Sequence, residues 1–383
     1  MDRTLERTLR SIQRVCAAGL DSLALRRELA QRMTGAVAFD AYAFSTCDPD
    51  TGLMAHTLAE GVPPGLGRDY LERVYPHETA TISIDASRRA SAVFSMLDMS
   101  PEARDAYLGH GITSQIHMAL SVDHQLWATW CLMRGDRSPR HNAQSLAFLQ
   151  RAAPCIARGL KAAACVDEAH GAAASADASS TSPGVIVLDS RNRPVLRTPL
   201  AARWLLDLAD AGLGMPDDVP LCVLGIAMRV RRNDARRDGR GSVPQDTLLR
   251  LRGASGQWYA LRGSLAEPDD SGSAAVVIVV RPAVRREIAP ILTSLYALSE
   301  RERQVVTAVA RGESTKGIAA SLGVSPHTVN EHLERACRKI GVRGRKALVA
   351  KLFVDGYAPT LMAPSPRALA DRFSAATDRQ AIS

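Results

Sequence analysis

The chain has 383 residues, 46% of them hydrophobic but only 4% aromatic, and carries a formal net charge of +8 with pI near 9.3. That length suggests two to four domains with real cores, and no apolar run approaches the ~20 residues that span a bilayer. The first segment, MDRTLERTLRSIQRV, is charged throughout and lacks a signal-peptide core, so the sequence predicts a cytoplasmic protein with no membrane partner.

In chain order, Leu5, Leu9, Ile12 and Cys16 line one face of an opening helix, and Leu23 to Met33 predicts a second. Val37 to Cys47 is strand-like, Asp48 to Gly52 is a turn, and Leu53 to Ala59 returns as the partner strand. After a helical middle, Ser114 to Val122 alternates, with Ile116, Met118, Leu120 and Val122 on one face. Asp123-His124-Gln125 turns, and Leu126 to Met133 comes back. Leu146, Leu149, Ala153, Ile156 and Leu160 mark a long closing helix that Pro154 is expected to kink.

This order of helix, hairpin, helical middle, hairpin and helix over residues 1–165 resembles a GAF domain, an α+β sensory fold. The resemblance implies a cup over the sheet for a ligand or partner. The polar groups available to it are His56, His77, His110, His117, His124 and Cys131, so a small-molecule ligand of unspecified kind is expected here and no other cofactor. Histidines 110, 117 and 124 are spaced by seven, but His117 falls in a predicted strand and His124 in a turn, so helical face arithmetic does not unite them and no metal site is assigned. The seven cysteines, Cys16, Cys47, Cys131, Cys155, Cys165, Cys222 and Cys337, are odd in number and form no C-x-x-C. That argues against a disulfide framework or structural zinc. They read as small core fillers, with redox sensing by one of them as the alternative.

Residues 166–183 are small, polar and aperiodic, the composition of a linker. Then come a strand at Gly184 to Leu188, a turn from Asp189, a partner at Pro194 to Arg197 and a helix from Pro199 to Leu208. Three strands succeed it, at Thr247 to Arg252, Trp258 to Leu265 and Ala274 to Arg281. This order over residues 184–283 resembles a PAS domain, also α+β. Trp204, Trp258 and Tyr259 fit core packing, with a pocket lining as the alternative. The basic run Arg229 to Gly241 reads as a solvated loop. Residues 284–295 predict a connector helix interrupted by Pro290, the route by which a sensor could alter the geometry of residues 296–357. The tail 358–383 is Pro- and Ala-rich and is expected to be mobile.

Residues 296–357 hold the strongest pattern. Val305 and Val309 mark the inner face of one helix, Ile318, Ala319 and Leu322 a second, and Val329, Leu333, Ala336 and Ile340 a third. Ser299 with Glu302 forms a capping box, Ser314 or Thr315 caps the second helix, and Ser325 before Pro326 caps the third. Gly323 turns the chain between the second and third, Gly341 stops the third, and Gly344 begins a fourth, short helix. A short helix, a Gly turn and a longer helix is the helix-turn-helix geometry. From Arg286 to Tyr357 twelve Lys/Arg face seven Asp/Glu, 12 − 7 = +5, which favours a polyanion.

The order L-S-x-R-E, G-x-S-T-K-x-I-A, L-G-V-S-x-x-T-V-N-x-H-L and K-I-G-V-x-x-R over these residues resembles the LuxR/NarL-type DNA-binding domain of bacterial transcription regulators, an all-α four-helix fold. By position the resemblance implies double-stranded DNA as partner and Thr315 to Glu334 as the helix-turn-helix proper. Lys316 and Thr328 would touch phosphates. Asn330, Glu331 and Glu334 would reach base edges, and Arg335, Arg338, Lys339 and Arg343 would contact the backbone. Thr315, Ser325 and His327 belong to the same DNA-facing set. Relatives often carry Lys or Arg at the place of Glu334 and Lys at that of Asn330. Here the carboxylates would accept from cytosine amino groups and Asn330 would pair with adenine; alternatively Glu331 and Glu334 pair with Arg335 and Arg338 along the helix.

The chain shows no G-x-S-x-G, P-loop, G-x-G-x-x-G or H-E-x-x-H, and nothing like the acidic pocket of a phosphoacceptor receiver domain, so a non-enzyme is expected. The whole reads as a multidomain, ligand- or partner-modulated, homodimeric transcription regulator. Two alternatives stay open: a module like region 4 of sigma factors that binds RNA polymerase, and a small-molecule or redox sensor whose DNA-binding domain is vestigial.

Overall fold

A computed structural model of the chain describes residues 3–79, 92–171, 182–213, 219–235, 247–267, 274–284, 298–310 and 312–349, together with 287, 288, 291 and 296. It divides into two compact units, Met1–Ala283 and Val284–Ser383.

In the first unit, α1 (Arg3–Cys16) and α2 (Ser22–Met33) precede a hairpin of β1 (Ala41–Cys47) and β2 (Met54–Glu60). Asp21 caps α2 by accepting the Ala24 N–H. The strand predicted from Val37 begins at Ala41, and Val37 is a buried lead-in. A short α3 (Leu66–Asp69) continues as a π-helix over Tyr70–Thr79, and β3 (Ala92–Ser95) and α4 (Pro101–Leu108) come after it. Next come β4 (Ile112–Val122), β5 (Gln125–Gly135) and α5 (Ala143–Gly171). The antiparallel sheet has order β2-β1-β5-β4-β3. Val122 pairs with Gln125, so the β4–β5 turn is only Asp123 and His124, at φ 52° and 62°. This is the primed geometry whose twist suits a hairpin.

Two expectations change here. The alternation of β4 predicted one buried face, but Gln115, His117, Ala119 and Ser121 are buried as well. On the side of Ile116, Met118 and Leu120 the sheet meets α1, α2 and α5, with Phe44 and Trp130 stacked at 4.3 Å. Its other side is covered by α3, α4 and by residues 219–230. The segment predicted as a linker also starts later: α5 runs unbroken past Pro154 and on to Gly171. Its last turns are held, because Asp167 accepts from the Ser22 N–H at 3.3 Å and its carbonyl accepts from Arg252. Residues 172–181 lie outside the described residues.

The second sheet contains β6 (Gly184–Leu188), β7 (Pro194–Arg197), β8 (Thr247–Arg252), β9 (Trp258–Leu265) and β10 (Val276–Pro282). Its order, β7-β6-β10-β9-β8, repeats that of the first sheet. Between β7 and β8 lie α6 (Pro199–Asp207) and α7 (Leu221–Ala235). The basic run is therefore not a loop at its start. Residues 229–235 are the last turns of α7, with Val230 buried. Arg231 donates to the carbonyls of Asp189 (2.6 Å) and Ala274 (3.0 Å) and to Asn192 Oδ1 (3.1 Å). Residues 236–246 are outside the described set. Trp204 and Tyr259 are core, their rings 6.0 Å apart.

One core runs through both sheets. Cys47, Leu53, Met54, Ala119 and Leu126 of the first cluster with Leu188, Leu221, Ile226 and Leu251 of the second half. Polar ties reinforce it. Arg250 donates from its backbone N–H and guanidinium to the buried Asp48 at 2.9–3.0 Å. Asp210 accepts from Thr57 N–H (2.8 Å) and Leu221 N–H (2.9 Å), and Ala211 bridges in parallel to Leu58. Gly212, at φ 78°, lies so close to the Ala59 carbonyl that any Cβ would collide with it.

The second unit contains α8 (Glu300–Ala310), α9 (Thr315–Leu322), α10 (Pro326–Ile340) and a helical turn over 344–349. Most of the connector helix predicted over 284–295, and all of the tail 358–383, fall outside the described residues. No described helix is long and apolar enough to cross a membrane.

Candidate nucleic-acid interface

Local chemistry fixes the three helices of the second unit. Ser299 N–H donates to Glu302 Oε2 at 2.7 Å while Glu302 N–H donates to Ser299 Oγ at 3.3 Å, a closed capping box. Ser314 Oγ accepts from Gly317 N–H, and Ser325 Oγ from Thr328 N–H, both at 3.1 Å. Gly323 (φ 65°) turns α9 into α10, and the left-handed Gly341 ends α10. Val305, Val309, Ile318, Val329, Ala336 and Ile340 are buried as one core, which fixes α10 against α8 and α9.

That packing decides what α10 shows to solvent. At 100° per residue the buried positions 329, 333, 336, 337 and 340 occupy one side. The opposite side carries His327, Glu331, Glu334, Arg335 and Arg338, all exposed. Asn330 is exposed on one flank, above an open groove shared with Glu334, Arg338 and Arg343. Lys316 is exposed near the start of α9, and Thr315 and Thr328 are half-buried beside the capping serines. The sequence-predicted residues lie on α10 or at its two ends, except Thr315 and Lys316, which open α9.

Among those on α10, Lys339 is engaged within the unit. Its ammonium donates to Glu302 Oε2 at 2.7 Å, tying the end of α10 to the start of α8. Burial would raise the Glu302 carboxyl, but the Lys339 hydrogen bond and those from Ser299 hold it below the usual carboxylate value. Glu331 lies between His327 (3.5 Å) and Arg335 (3.6 Å), one helical turn to either side. The sequence reading missed Arg345, whose guanidinium donates to the Glu313 carbonyl and anchors the chain after Gly341. Its only signal was membership in the basic cluster.

In the first unit the predicted polar groups do not converge. His56 Nε2 lies 2.5 Å from the Arg252 carbonyl, His110 Nε2 2.9 Å from Asp69 Oδ2, and His117 Nδ1 3.0 Å from Cys131 Sγ. Burial pushes His56 and His117 down to about 4, so both are neutral near pH 7. His124 is a turn residue, and the side chain of His77 is outside the described residues. Among the described residues no group of three or more His, Cys, Asp or Glu could hold a metal ion. A cavity of about 40 Å³ lies over the first sheet, lined by Ser45, Thr57, Tyr107, Thr129, Cys131 and Leu221 among others.

Comparison with known proteins agrees with this geometry in the second unit. Residues 296–352 match the family described as bacterial regulatory proteins, luxR family. The chain is 40% identical over 59 residues to the spore germination protein GerE of Bacillus subtilis, covering 15% of this chain and 80% of that protein. It is 43% identical over 68 residues to the transcriptional regulatory protein NarL of Mycobacterium tuberculosis, covering 18% of this chain but only 30% of NarL. A solved bacteriophytochrome, RpBphP3 from R. palustris, overlaps 74% of this chain and 63% of its own at 10% identity and TM-score 0.35, which does not establish a shared fold.

Proposed function

Because the chain belongs to the luxR family of bacterial regulatory proteins through residues 296–352, and so carries that family's DNA-binding helix-turn-helix, we propose that it is a dimeric, sequence-specific transcriptional regulator. The observation that carries the reading is the exposed face of α10, a helix held against α8 and α9 that carries Arg338, with Arg343 just beyond its end and Lys316 exposed near the start of α9. In this reading α10 enters the major groove. Asn330 pairs with adenine and Glu334 accepts from a cytosine amino group. Lys316, Thr328, Arg338 and Arg343 meet phosphates, with Thr315, Ser325 and His327 at the edge of the same surface. Glu331 is paired with Arg335, so the two carboxylates need not both repel DNA. Lys339 drops out of the DNA-contacting set, since its charge is used on Glu302.

Dimerisation is the assembly this reading calls for, because one helix-turn-helix reads only a half-site. The two sheets of identical strand order support reading residues 1–165 and 184–283 as GAF-like and PAS-like sensory folds. The cavity over the first sheet is where a ligand of only a few atoms would act. The cytoplasm is the compartment this function requires.

Selection of DNA from a random library by the full-length protein tests the reading. A recovered palindrome is expected. Asn330→Ala should lose preference at one base pair, and Arg338→Ala should weaken binding to all sequences alike. No enrichment at any salt concentration would overturn it.

A further inference from the structure

We propose that Cys16 and Cys155 form a peroxide-oxidisable dithiol, a modification site at which a reversible disulfide joins the end of α1 to α5. Cys16 is the last residue of α1. Its Cβ and Sγ lie 2.7 and 2.8 Å from where a Cβ on Gly159 would stand, so Cys16 is seated in the notch that this glycine leaves on α5. Cys155 is one helical turn before Gly159 and therefore on the same face of α5. Positions four apart on a helix stand about 5–6 Å apart between Cβ atoms, so the Cys155 side chain is next to the Cys16 thiol seated at Gly159. Both are half-exposed, whereas Cys47, Cys131, Cys222 and Cys337 are buried. Cys165 is also half-exposed, but its S–H donates to the Lys161 carbonyl at 3.5 Å.

The electrostatics divide the labour. The neighbouring Cys16 thiol, helped by Arg158, brings the Cys155 thiol down to about 7, while Cys155 and burial push Cys16 up. Cys155 is therefore the readier of the two to lose its proton and act as the nucleophile. With hydrogen peroxide as oxidant, the Cys155 sulfur attacks one peroxide oxygen. An S–O bond forms, the O–O bond breaks, and the departing hydroxide takes a proton to become water. Cys16 then loses its proton and its sulfur attacks that of Cys155. The S–S bond forms, the S–O bond breaks, and a second water leaves. In sum, two thiols are oxidised and one peroxide is reduced to two waters; a dithiol reductant reverses the change by exchange.

The test is peptide mapping of the full-length protein under non-reducing conditions, with thiol counting before and after stoichiometric peroxide. Two of the seven thiols should disappear, with the loss of two hydrogens per chain. A single peptide linking residues 16 and 155 should appear and be abolished by dithiothreitol. Cys16→Ser and Cys155→Ser should each prevent the link, and Cys165→Ser should leave it intact. Gly159→Ala, which fills the notch, should slow it while leaving both thiols in place. Retention of all seven thiols, a link between any other pair, disulfides only between chains, or Cys155 passing directly to sulfinic acid would each overturn the proposal. The wild-type map decides even if a serine variant fails to fold.

Discussion

Lys339 stands in the basic cluster after Glu334, yet its contact with Glu302 gives it a different task from its neighbour Arg338. The two can be separated by salt. An arginine that neutralises a phosphate releases counterions, so Arg338→Ala should reduce the slope of log affinity against log salt by about 1. Lys339→Ala should leave that slope unchanged while lowering the melting temperature of the second unit. Equal loss of slope in both variants would return Lys339 to the DNA. Glu302 adds a pH signature, since its folded value lies below the 4.5 of the free side chain. The unfolded chain therefore takes up the proton first as pH falls. The stabilisation is complete above the unfolded value and is lost as pH drops through the depressed folded one. Glu302→Gln should flatten this acid loss in thermal melts of the second unit, and at neutral pH should lower stability by about 1 kcal/mol, the usual cost of a damaged cap. An unchanged acid profile would mean that Glu302 is not the titrating group.

Among the elements, the turn after β1 and strand β8 are coupled by a pair that no local pattern announces. Asp48 is fully buried and Arg250 nearly so, and Asp50 adds a second carboxylate at 2.9 Å from the same guanidinium. Burial raises the Asp48 carboxyl on balance even though Arg250 pulls it down, the mark of a pair whose desolvation roughly cancels its attraction. Removing one partner should then cost far more than removing both. Asp48→Ala should destabilise the first unit by about 3–5 kcal/mol in urea titration, and Asp48→Leu with Arg250→Met should recover most of that. A double variant as unstable as the single one would show that the pair contributes net stability. The same contrast between local and distant causes explains what the sequence could reveal. The helices of the second unit were legible because caps, stops and the 3.6-residue stripe lie within a few positions of each other. Both hairpins of the first sheet were legible from alternation and turn chemistry. The second buried face of β4, the helical start of the basic run and the ordered end of α5 were not. Their partners, at residues 219–230, 189–192 and 252, are about 40 to about 115 positions away. At the candidate interface, the set of exposed residues could be read from periodicity, but the diversion of Lys339 to a glutamate 37 positions earlier could not.

For the molecule as a whole, the question is how many parts unfold. The sequence predicts three folded domains, whereas the structure forms two compact units. In the first of these, the apolar cluster has no seam between the sheets: Met54 and Leu126 from one share it with Leu221, Ile226 and Leu251 from the other. Opening that contact would expose apolar surface on both sides at about 25 cal/mol per Å². It would also strand Asp48, Arg250 and Asp210 in partly built surroundings. Neither half can lose the other without that penalty, so the two sheets should unfold together. Calorimetry of the full chain should then show one transition for residues up to Ala283 and one for the helix-turn-helix unit. Leu221→Asp, which places a charge in the shared core, should lower the first transition as a block and leave the second in place. A third transition, or a Leu221→Asp effect confined to the strands of residues 184–283 in hydrogen exchange, would mean that the two sheets fold independently. If instead they melt as one, a ligand in the cavity over the first sheet would be felt by both sheets, because the cavity wall includes Leu221 of α7 as well as Ser45 of β1.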